Sequence, residues 1–390
     1  MPWSLEIHHI DVDQGDATLI LIRQNGVLQK SVLIDGGRQK AGEIIEKYLH
    51  KQGIKGNKSL DIIVATHYDA DHIGGLIYLL KDTKLCSKAV IYDRGEVNNV
   101  DQYGNYASQS ADTNYTNYLQ AVAVQPTRKR PTEDIYGKQN NPPPLKKGRA
   151  DIGTAPLWMQ NHNAWRKADA LLGAELLQLA DNTAPQMTCI AINGFIIGAG
   201  YKTDSKLNGE RMENQRSLAF LIEFNNFRYY LGGDIESTQE KSVADYLKSA
   251  APPKVPVHAI KVSHHGSDKS TSSAFLKAMQ PLAAFISCGA ISTFGGAHHP
   301  AESVIDNLQK QKSIQHYYLT ACGYTTNHIA DKGQQQADKS RVAGGAISKK
   351  QELGHIVLKI DQPNAVKNPP VFDVEYWDEY LRKKVTLSHP

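Results

Sequence analysis

Six consecutive positions, 67–72, carry four side chains of the kind that bind metal ions: His67, Asp69, Asp71 and His72. The apolar, β-branched run at residues 60–66 predicts a buried strand directly before them. Along a strand such side chains would alternate between faces, whereas a turn at the strand end lets them converge on a small volume. The spacing therefore predicts a metal site at the end of this strand.

Three later motifs carry side chains of the same kind. Residues 227–231 predict a strand that runs into Gly-Gly-Asp, ending in Asp234. Residues 255–262 predict another, which runs into Ser-His-His-Gly-Ser with His264 and His265. His299 follows a Gly-Gly-Ala segment and precedes Pro300. A lone histidine is usually structural, but this collection can hold two metal ions that share one carboxylate.

The order of these motifs carries a resemblance. HxDxDH followed by Gly-Gly resembles the signature of the metallo-β-lactamase-fold hydrolases, whose usual form is HxHxDH; here Asp69 stands at the second histidine. That exchange, Asp35-Gly36-Gly37 and the SHHGS motif are similar to the ComEC-type branch, the hydrolase domain of DNA-uptake proteins. The likeness covers residues 5–92 and 188–320. It implies an α/β fold, an αββα sandwich with helices outside two mixed sheets and ligands at one edge.

The resemblance also implies roles for the site residues. His67 and Asp69 would face a first metal ion, Asp71, His72 and His264 a second, and Asp234 would bridge them. His265 and His299, with Asp71, are the candidate catalytic residues, the two histidines binding phosphate oxygens or protonating the leaving group.

Two neighbouring positions depart from the pattern. Where relatives place a third histidine for the first metal, this chain has Asn214 and Gln215. We therefore expect the site of Asp71, His72, Asp234 and His264 to bind its ion more tightly. Asp16 we expect to shape its turn rather than to bind metal, since Asp often bonds its own backbone in turns.

The predicted cofactors are two divalent ions. Zn²⁺ favours histidine-rich sets, and exchanging His for Asp hardens a site toward Mn²⁺ or Mg²⁺. Paired ions generate a metal-bound hydroxide and stabilise both oxygens of a phosphodiester displacement. We therefore predict a phosphodiesterase or nuclease. The alternatives are a hydrolase of another ester or amide bond (lactonase, thioesterase or β-lactamase-like) and a non-catalytic nucleic-acid-binding scaffold.

The motifs divide the chain into a hydrolase domain (1–92 and 188–325), an insertion (93–187, partly loop) and a C-terminal extension (326–390). Within the insertion, residues 164–179 predict a helix. Residues 128–149 hold seven basic and two acidic residues, which predicts either a basic flap over a polyanion or a solvated loop. The extension contains two predicted closing strands, at 354–360 and 372–377.

Composition is that of an ordinary soluble protein, with 41% hydrophobic and 22% charged residues among 390. No apolar run approaches the roughly 18 residues of a membrane span, and the polar N-terminus does not predict a signal peptide. Four scattered cysteines predict buried thiols in a reducing, cytoplasmic setting. The net charge of +4 is compatible with a phosphodiester substrate such as DNA or RNA. Because ComEC-type proteins pair this domain with a membrane channel, the resemblance implies either a free-standing protein or one that works with a separate protein partner. The sequence does not indicate an oligomeric state.

Overall fold

The computed structural model describes residues 2–93, 114, 117–118, 121–122, 128–129, 171–192, 194–202, 213–289, 299–321, 342–346, 354–378, 381 and 383–390. Most of the basic segment 128–149 lies outside these residues, as does Cys322. No helix in the described part of the chain is long and apolar enough to cross a membrane.

Two sheets form the centre of the molecule, and the first joins the two ends of the chain. Its strands are β1 (Trp3–His9), β2 (Thr18–Gln24), β3 (Val27–Ile34), β4 (Ile62–Ala65), β5 (Val90–Asp93), β6 (Arg128–Lys129), β16 (Ile356–Asp361), β17 (Phe372–Asp378) and β18 (Lys383–His389). Their spatial order is β18-β17-β16-β1-β2-β3-β4-β5-β6. The pairings among β18, β17, β16, β1, β2 and β3 are antiparallel, and those from β3 to β6 are parallel.

The second sheet contains β7 (Gln186–Ile192), β8 (Phe195–Ile196), β9 (Gly200–Tyr201), β10 (Ala219–Phe224), β11 (Phe227–Leu231), β12 (Ala259–Lys261), β13 (Ala283–Ile286), β14 (His316–Ala321) and β15 (Val342–Ala346). Its order is β15-β14-β13-β12-β11-β10-β7-β8-β9. Strands β11 to β15 run parallel. Because β11 and β12 are parallel neighbours, the loops after them leave from the same edge of the sheet.

Helices cover both outer faces. The helices α1 (Ala41–Lys51) and α2 (Ala70–Asp82) pack on the first sheet, and α3 (Ser237–Ser249), α4 (Ser273–Met279) and α5 (Glu302–Lys310) on the second. A short helix, α6 (Gln362–Ala365), follows β16, and 3₁₀ turns occur at Asn214–Arg216 and Ser263–Gly266.

Three apolar layers hold these elements together. Leu5 and Ile7 of β1 face Phe220 and Tyr229 of the second sheet in the layer between the sheets. One further layer lies under α1 and α2, and the third under α3, α4 and α5. The predicted αββα sandwich is thus confirmed.

Several predicted elements differ in detail. The described part of the predicted 164–179 helix, residues 171–179, is turn and a β-bridge at Glu175, so that prediction is wrong there. The C-terminal extension supplies three strands to the first sheet rather than two. Cys86, Cys189 and Cys288 are buried, as predicted.

Candidate metal centre

The predicted ligand residues come from elements of both sheets that end at one edge. His67 follows β4, Asp234 follows β11, and His264 and His265 follow β12. The two sheets are joined at this edge, where the backbone N–H of Leu218 donates to the carbonyl of Thr66 (2.9 Å). The end of β4 is therefore held against the start of β10, which pairs with the end of β11.

The second half of the HxDxDH motif lies on a helix rather than on a loop. Helix α2 begins at Ala70, so Asp71 and His72 occupy its first turn. Gly75, which follows them, packs so closely that a Cβ atom there would lie 2.0 Å from the carbonyl oxygen of Gly36. Glycine at this position therefore lets the start of α2 lie directly on the Asp35-Gly36-Gly37 loop.

Four histidines surround one carboxylate oxygen. Oδ2 of Asp234 lies 3.2 Å from Nε2 of His72 and 3.5 Å from Nε2 of His265. The Nε2 atoms of His67 and His264 each lie 3.8 Å from the same oxygen. Oδ1 of Asp234 is buried and has no hydrogen-bond partner among the described residues. Such a convergence of donor atoms on a buried carboxylate suits a metal ion.

Hydrogen bonds made by the other ring nitrogen, Nδ1, orient His72 and His265 toward Asp234. Nδ1 of His72 donates to Oδ2 of Asp35 (2.8 Å), and Nδ1 of His265 donates to the carbonyl of Ser287 (3.0 Å). With Nδ1 protonated, the lone pair of each neutral ring is on Nε2. Metal-binding histidines are commonly held in this way.

His67 is oriented by its neighbour in the chain. The hydroxyl of Thr66 donates to Oδ2 of Asp35 (2.7 Å), so its oxygen accepts from Nδ1 of His67 (3.0 Å). Asp35 thus orients His72 directly and His67 through Thr66.

The two remaining motif carboxylates stand at the mouth of the centre. Oδ2 of Asp69 lies 3.9 Å from Nε2 of His67, and Oδ2 of Asp71 lies 3.6 Å from Nε2 of His265. Their side chains are 23% and 22% exposed, whereas His67 is fully buried. The carboxylates therefore border the side from which a substrate would approach.

The adjacent histidines occupy different places. Nε2 of His265 lies 3.2 Å from Nε2 of His72, whereas Nε2 of His264 accepts from Nδ2 of Asn214 (3.2 Å). The ring of His299 stands near both, with centroid distances of 5.5 Å to His264 and 6.4 Å to His265. His265 is thus the one of the pair on the Asp71 and His72 side.

The backbone of this pair is unusual. His264 (φ 51°, ψ 45°) and His265 (φ 53°, ψ 17°) are both in the left-handed region, which is costly for residues other than glycine. Strain of this kind gathers at functional sites, where the surrounding structure maintains it. The turn sends two consecutive side chains toward the centre.

Two residues of the site were not predicted as such from the sequence. Asp16 was predicted to shape a turn, and no role was predicted for Lys261. The carboxylate of Asp16 makes no turn hydrogen bond among the described residues; it lies 2.6 Å from the ammonium of Lys261, and both groups are buried. Its oxygens are also 3.8 Å from Nδ1 of His72 and of His265. The turn-shaping role predicted for Asp16 is therefore wrong. The sequence signal for Lys261 was a lysine within an otherwise apolar strand.

The charges of the centre balance one another. Burial raises the pKa of Asp234, but His72, His265 and His264 outweigh it and hold the pKa well below its usual range. Burial lowers the pKa of His72, but Asp234 and Asp35 reverse this and raise it well above its ordinary value. Both shifts have the same cause, the attraction between the imidazole of His72 and the carboxylate of Asp234.

The donor set fits a metal ion. Asp16, His72, Asp234 and His265 each offer a ligand atom within 4.8 Å of those of the others. Nδ1 of His299, like Oδ1 of Asp234, is buried without a hydrogen-bond partner in the described part of the chain. Imidazole and carboxylate donors together suit Zn²⁺ or Mn²⁺.

The sandwich, with a histidine–aspartate cluster at one edge between its sheets, has the architecture of the metallo-β-lactamase superfamily. The model of that family, "Metallo-beta-lactamase superfamily", matches residues 10–154. ComE operon protein 3 of Bacillus subtilis (strain 168) is 33% identical over 98 residues, which are 25% of this chain and 12% of that protein. The chain thus matches only a small part of that relative's length.

Solved structures of similar fold include Tm1679, described as a metal-dependent hydrolase of the beta-lactamase superfamily. It is 13% identical, with 79% of this chain and 93% of that chain covered and a TM-score of 0.39. Zn(2+)-bound PqqB from Methylobacterium extorquens is 10% identical, with 64% and 59% covered and a TM-score of 0.32.

Proposed function

We propose that this protein is a metal-dependent hydrolase that cleaves phosphodiesters. The observation that carries the proposal is the convergence of four Nε2 atoms, from His67, His72, His264 and His265, within 3.2 to 3.8 Å of Oδ2 of Asp234. A buried carboxylate ringed by imidazoles and bordered by two further carboxylates suits a pair of divalent ions.

The ligands divide by position around Asp234. His67 and Asp69 would hold one ion, and Asp71 and His72 the other, with Asp234 between them. His265 lies 3.6 Å from Asp71 and 3.2 Å from His72, so we assign it to the second ion in place of His264. Bound divalent ions supply Lewis acidity and a water of lowered pKa, near 7.

His264 and His299 are not assigned to either ion and are available to contact the substrate. His264 is 16% exposed and stands beside His299 at the mouth. Burial, with the nearby rings of His265 and His264, lowers the pKa of His299 to about 4. A neutral ring at pH 7 has one N–H to donate to a phosphate oxygen, so His299 orients the substrate rather than supplying a proton.

The phosphodiester class rests on the chemistry of the site. Asp69, in place of an imidazole, adds a hard oxygen donor, which favours Mn²⁺ or Mg²⁺ over an all-histidine zinc site. The resemblance of the HxDxDH and SHHGS motifs to the ComEC-type DNA-uptake branch supports a nucleic-acid substrate. DNA, RNA and cyclic dinucleotides all contain phosphodiester bonds.

An activity screen tests the proposal. Protein loaded with Mn²⁺, Zn²⁺ or Mg²⁺ is offered bis(p-nitrophenyl) phosphate, single- and double-stranded DNA, RNA and cyclic dinucleotides, beside a lactone, a thioester and a β-lactam. We expect hydrolysis of phosphodiesters, and a loss of at least 100-fold in Asp234→Asn. Turnover confined to a lactone, thioester or β-lactam would replace the substrate class. Nucleic-acid binding with no hydrolysis of any substrate would indicate a scaffold.

A further inference from the structure

A lysine lies between the two sheets beside the metal centre. Lys261 is the last residue of β12, and its side chain is only 1% exposed. Ala259, two positions earlier on the same strand, lies in the apolar layer between the sheets. Because alternate residues of a strand point to one face, Lys261 points into that layer, toward the first sheet. A buried ammonium is strongly unfavourable unless a carboxylate compensates its charge.

The compensating carboxylate is that of Asp16, which precedes β2 in the first sheet. Its Oδ2 lies 2.6 Å from Nζ of Lys261, and both side chains are buried. The backbone fixes the place of Asp16, because its N–H donates to the carbonyl of Asp71 (3.1 Å) and its carbonyl accepts from the N–H of Gly37 (2.7 Å). The ion pair therefore connects the two sheets next to the start of α2.

The same carboxylate lies behind the two histidines that we assign to the second ion. Oδ2 of Asp16 is 3.8 Å from Nδ1 of His72, and Oδ1 is 3.8 Å from Nδ1 of His265. These are the ring nitrogens that do not face Asp234, and at 3.8 Å neither contact is a hydrogen bond. Asp16 therefore acts on these rings, and through them on the ion, by its charge.

Lys261 opposes that charge. A carboxylate this close to a divalent ion strengthens its binding, and in a buried site the attraction is only weakly screened. The ammonium cancels the effect of Asp16 at 2.6 Å. It also lies 3.4 Å from the carbonyl oxygen of Gly233, the residue before Asp234. The positive charge thus stands beside two carboxylates of the centre.

We propose that Lys261 limits how tightly the protein holds the second ion, by cancelling the charge of Asp16. Lys261 is a positioning residue in this role, since it acts through Asp16 and is not a ligand. The proposal rests on the metal centre described above and not on the phosphodiester class. Negative charge around a metal ion strengthens binding but reduces Lewis acidity, so the pair favours the reactivity of the ion over its retention.

Competition between the protein and a chromophoric chelator for Co²⁺ measures the affinity of the tighter site without any substrate. Lys261→Met should bind the ion about tenfold more tightly or better, because the charge of Asp16 is then unopposed. Asp16→Asn should bind it more weakly by about tenfold or more, because the ammonium is then unopposed. The double variant Asp16→Asn/Lys261→Met loses both charges and should stay within about threefold of the native protein.

The double variant separates the effect of charge from that of structure. If the pair only supports the fold, removing both partners does not restore the affinity lost in Asp16→Asn. The matched control Lys359→Met removes the ammonium that lies 2.7 Å from Glu375 and should bind Co²⁺ like the native protein. The visible absorption of the bound Co²⁺ should keep its native form in every variant, because no variant adds or removes a ligand.

The outcomes distinguish this role from the metal centre itself. Native affinity in both single variants, a double variant as weak as Asp16→Asn, or a new Co²⁺ spectrum in Lys261→Met would each overturn the role of Lys261. Should the lone carboxylate keep Lys261→Met from folding without metal, Asp16→Asn and the double variant decide the question alone. A native protein without saturable Co²⁺ binding would overturn the metal centre and this role with it.

Discussion

Asn214 occupies the side of the centre where the sequence lacks a third histidine. Its amide donates to His264, so it adds no imidazole to the ion that we propose beside His67 and Asp69. We therefore expect two ions that are retained unequally, the one near Asp71 and His72 being held more tightly.

Dialysis against graded chelator, followed by elemental analysis, measures this difference. Asn214→His should raise retention of the weaker ion by at least tenfold, because it adds an imidazole ligand. Asn214→Ala, which adds none, should not. Two ions lost together from the native protein would contradict the prediction.

Glu240 on α3 makes stability depend on pH. The carboxyl is fully buried, where it accepts from the backbone N–H of Thr271 (2.6 Å), and burial raises its pKa to about 7. The folded state therefore holds this proton more firmly than the unfolded state does. Its contribution to stability is complete below about pH 4.5 and is lost as pH rises toward 7.

Glu240→Gln should remove that loss. Between pH 4.5 and pH 7.5 the free energy of unfolding of the native protein should fall relative to the variant by about 3 kcal/mol, since one pKa unit corresponds to about 1.4 kcal/mol. Urea unfolding of metal-free protein at a series of pH values measures the difference. Glu302→Gln, at an exposed position on α5, is the control and should run parallel to the native protein.

Among the individual residues, the sequence predicted the histidines and Asp234 of the site, but not Asp16 and Lys261 beside them. The motif residues were predictable because strand ends meet at a common edge. The pairing of Asp16 with Lys261 was not, because it depends on how a turn of the first sheet meets a strand of the second. Local spacing contains no information about that contact.

Among the elements, the 3₁₀ turn Ser263–Gly266 has two successive non-glycine residues, His264 and His265, in the left-handed region. His264 has φ of 51°, where alanine costs about 1 kcal/mol more than glycine. We expect metal-free His264→Gly to be more stable than His264→Ala by about that amount, while both lose activity. Urea unfolding of the two variants measures it.

His258 provides the matched comparison, because its backbone is not among those with positive φ. There the order should reverse, with His258→Ala more stable than His258→Gly, since glycine has more conformational entropy to lose on folding. The same order at both positions would mean that the turn at His264 is not strained in solution.

Most elements were predictable from periodicity, and the exceptions have physical causes. Helix α2 begins at Ala70 because Gly74 and Gly75 allow its first turns to pack on the loop after β3, a tertiary contact. Strand β18 shows one largely exposed row of side chains, so it lacks the apolar signal of a buried strand.

In the whole molecule, the C-terminal strands are part of the central core. Leu358, Ile360, Phe372 and Val374 are buried in the layer between the sheets. We expect a chain ending at residue 353 to lose cooperative unfolding, because β1 then loses β16 as its partner and the core loses these side chains.

A chain ending at residue 382 provides the contrast. It loses only β18, whose side chains are mostly exposed apart from the buried His389. It should still unfold cooperatively, with a lower melting temperature. Calorimetry of both chains distinguishes them, and a cooperative transition in the shorter one would show that the core does not need the extension.

The pairing of Ser4 in β1 with Asp361 in β16 has a consequence for synthesis. At about 5–20 residues per second, a ribosome takes roughly 20 to 70 s to reach β16 after β1 has emerged. Throughout that interval one edge of β1 has no native partner, and an unpaired edge is where nascent chains associate wrongly. Nascent chains arrested before residue 354 should therefore bind holdase chaperones, and release should follow once residue 361 clears the exit tunnel.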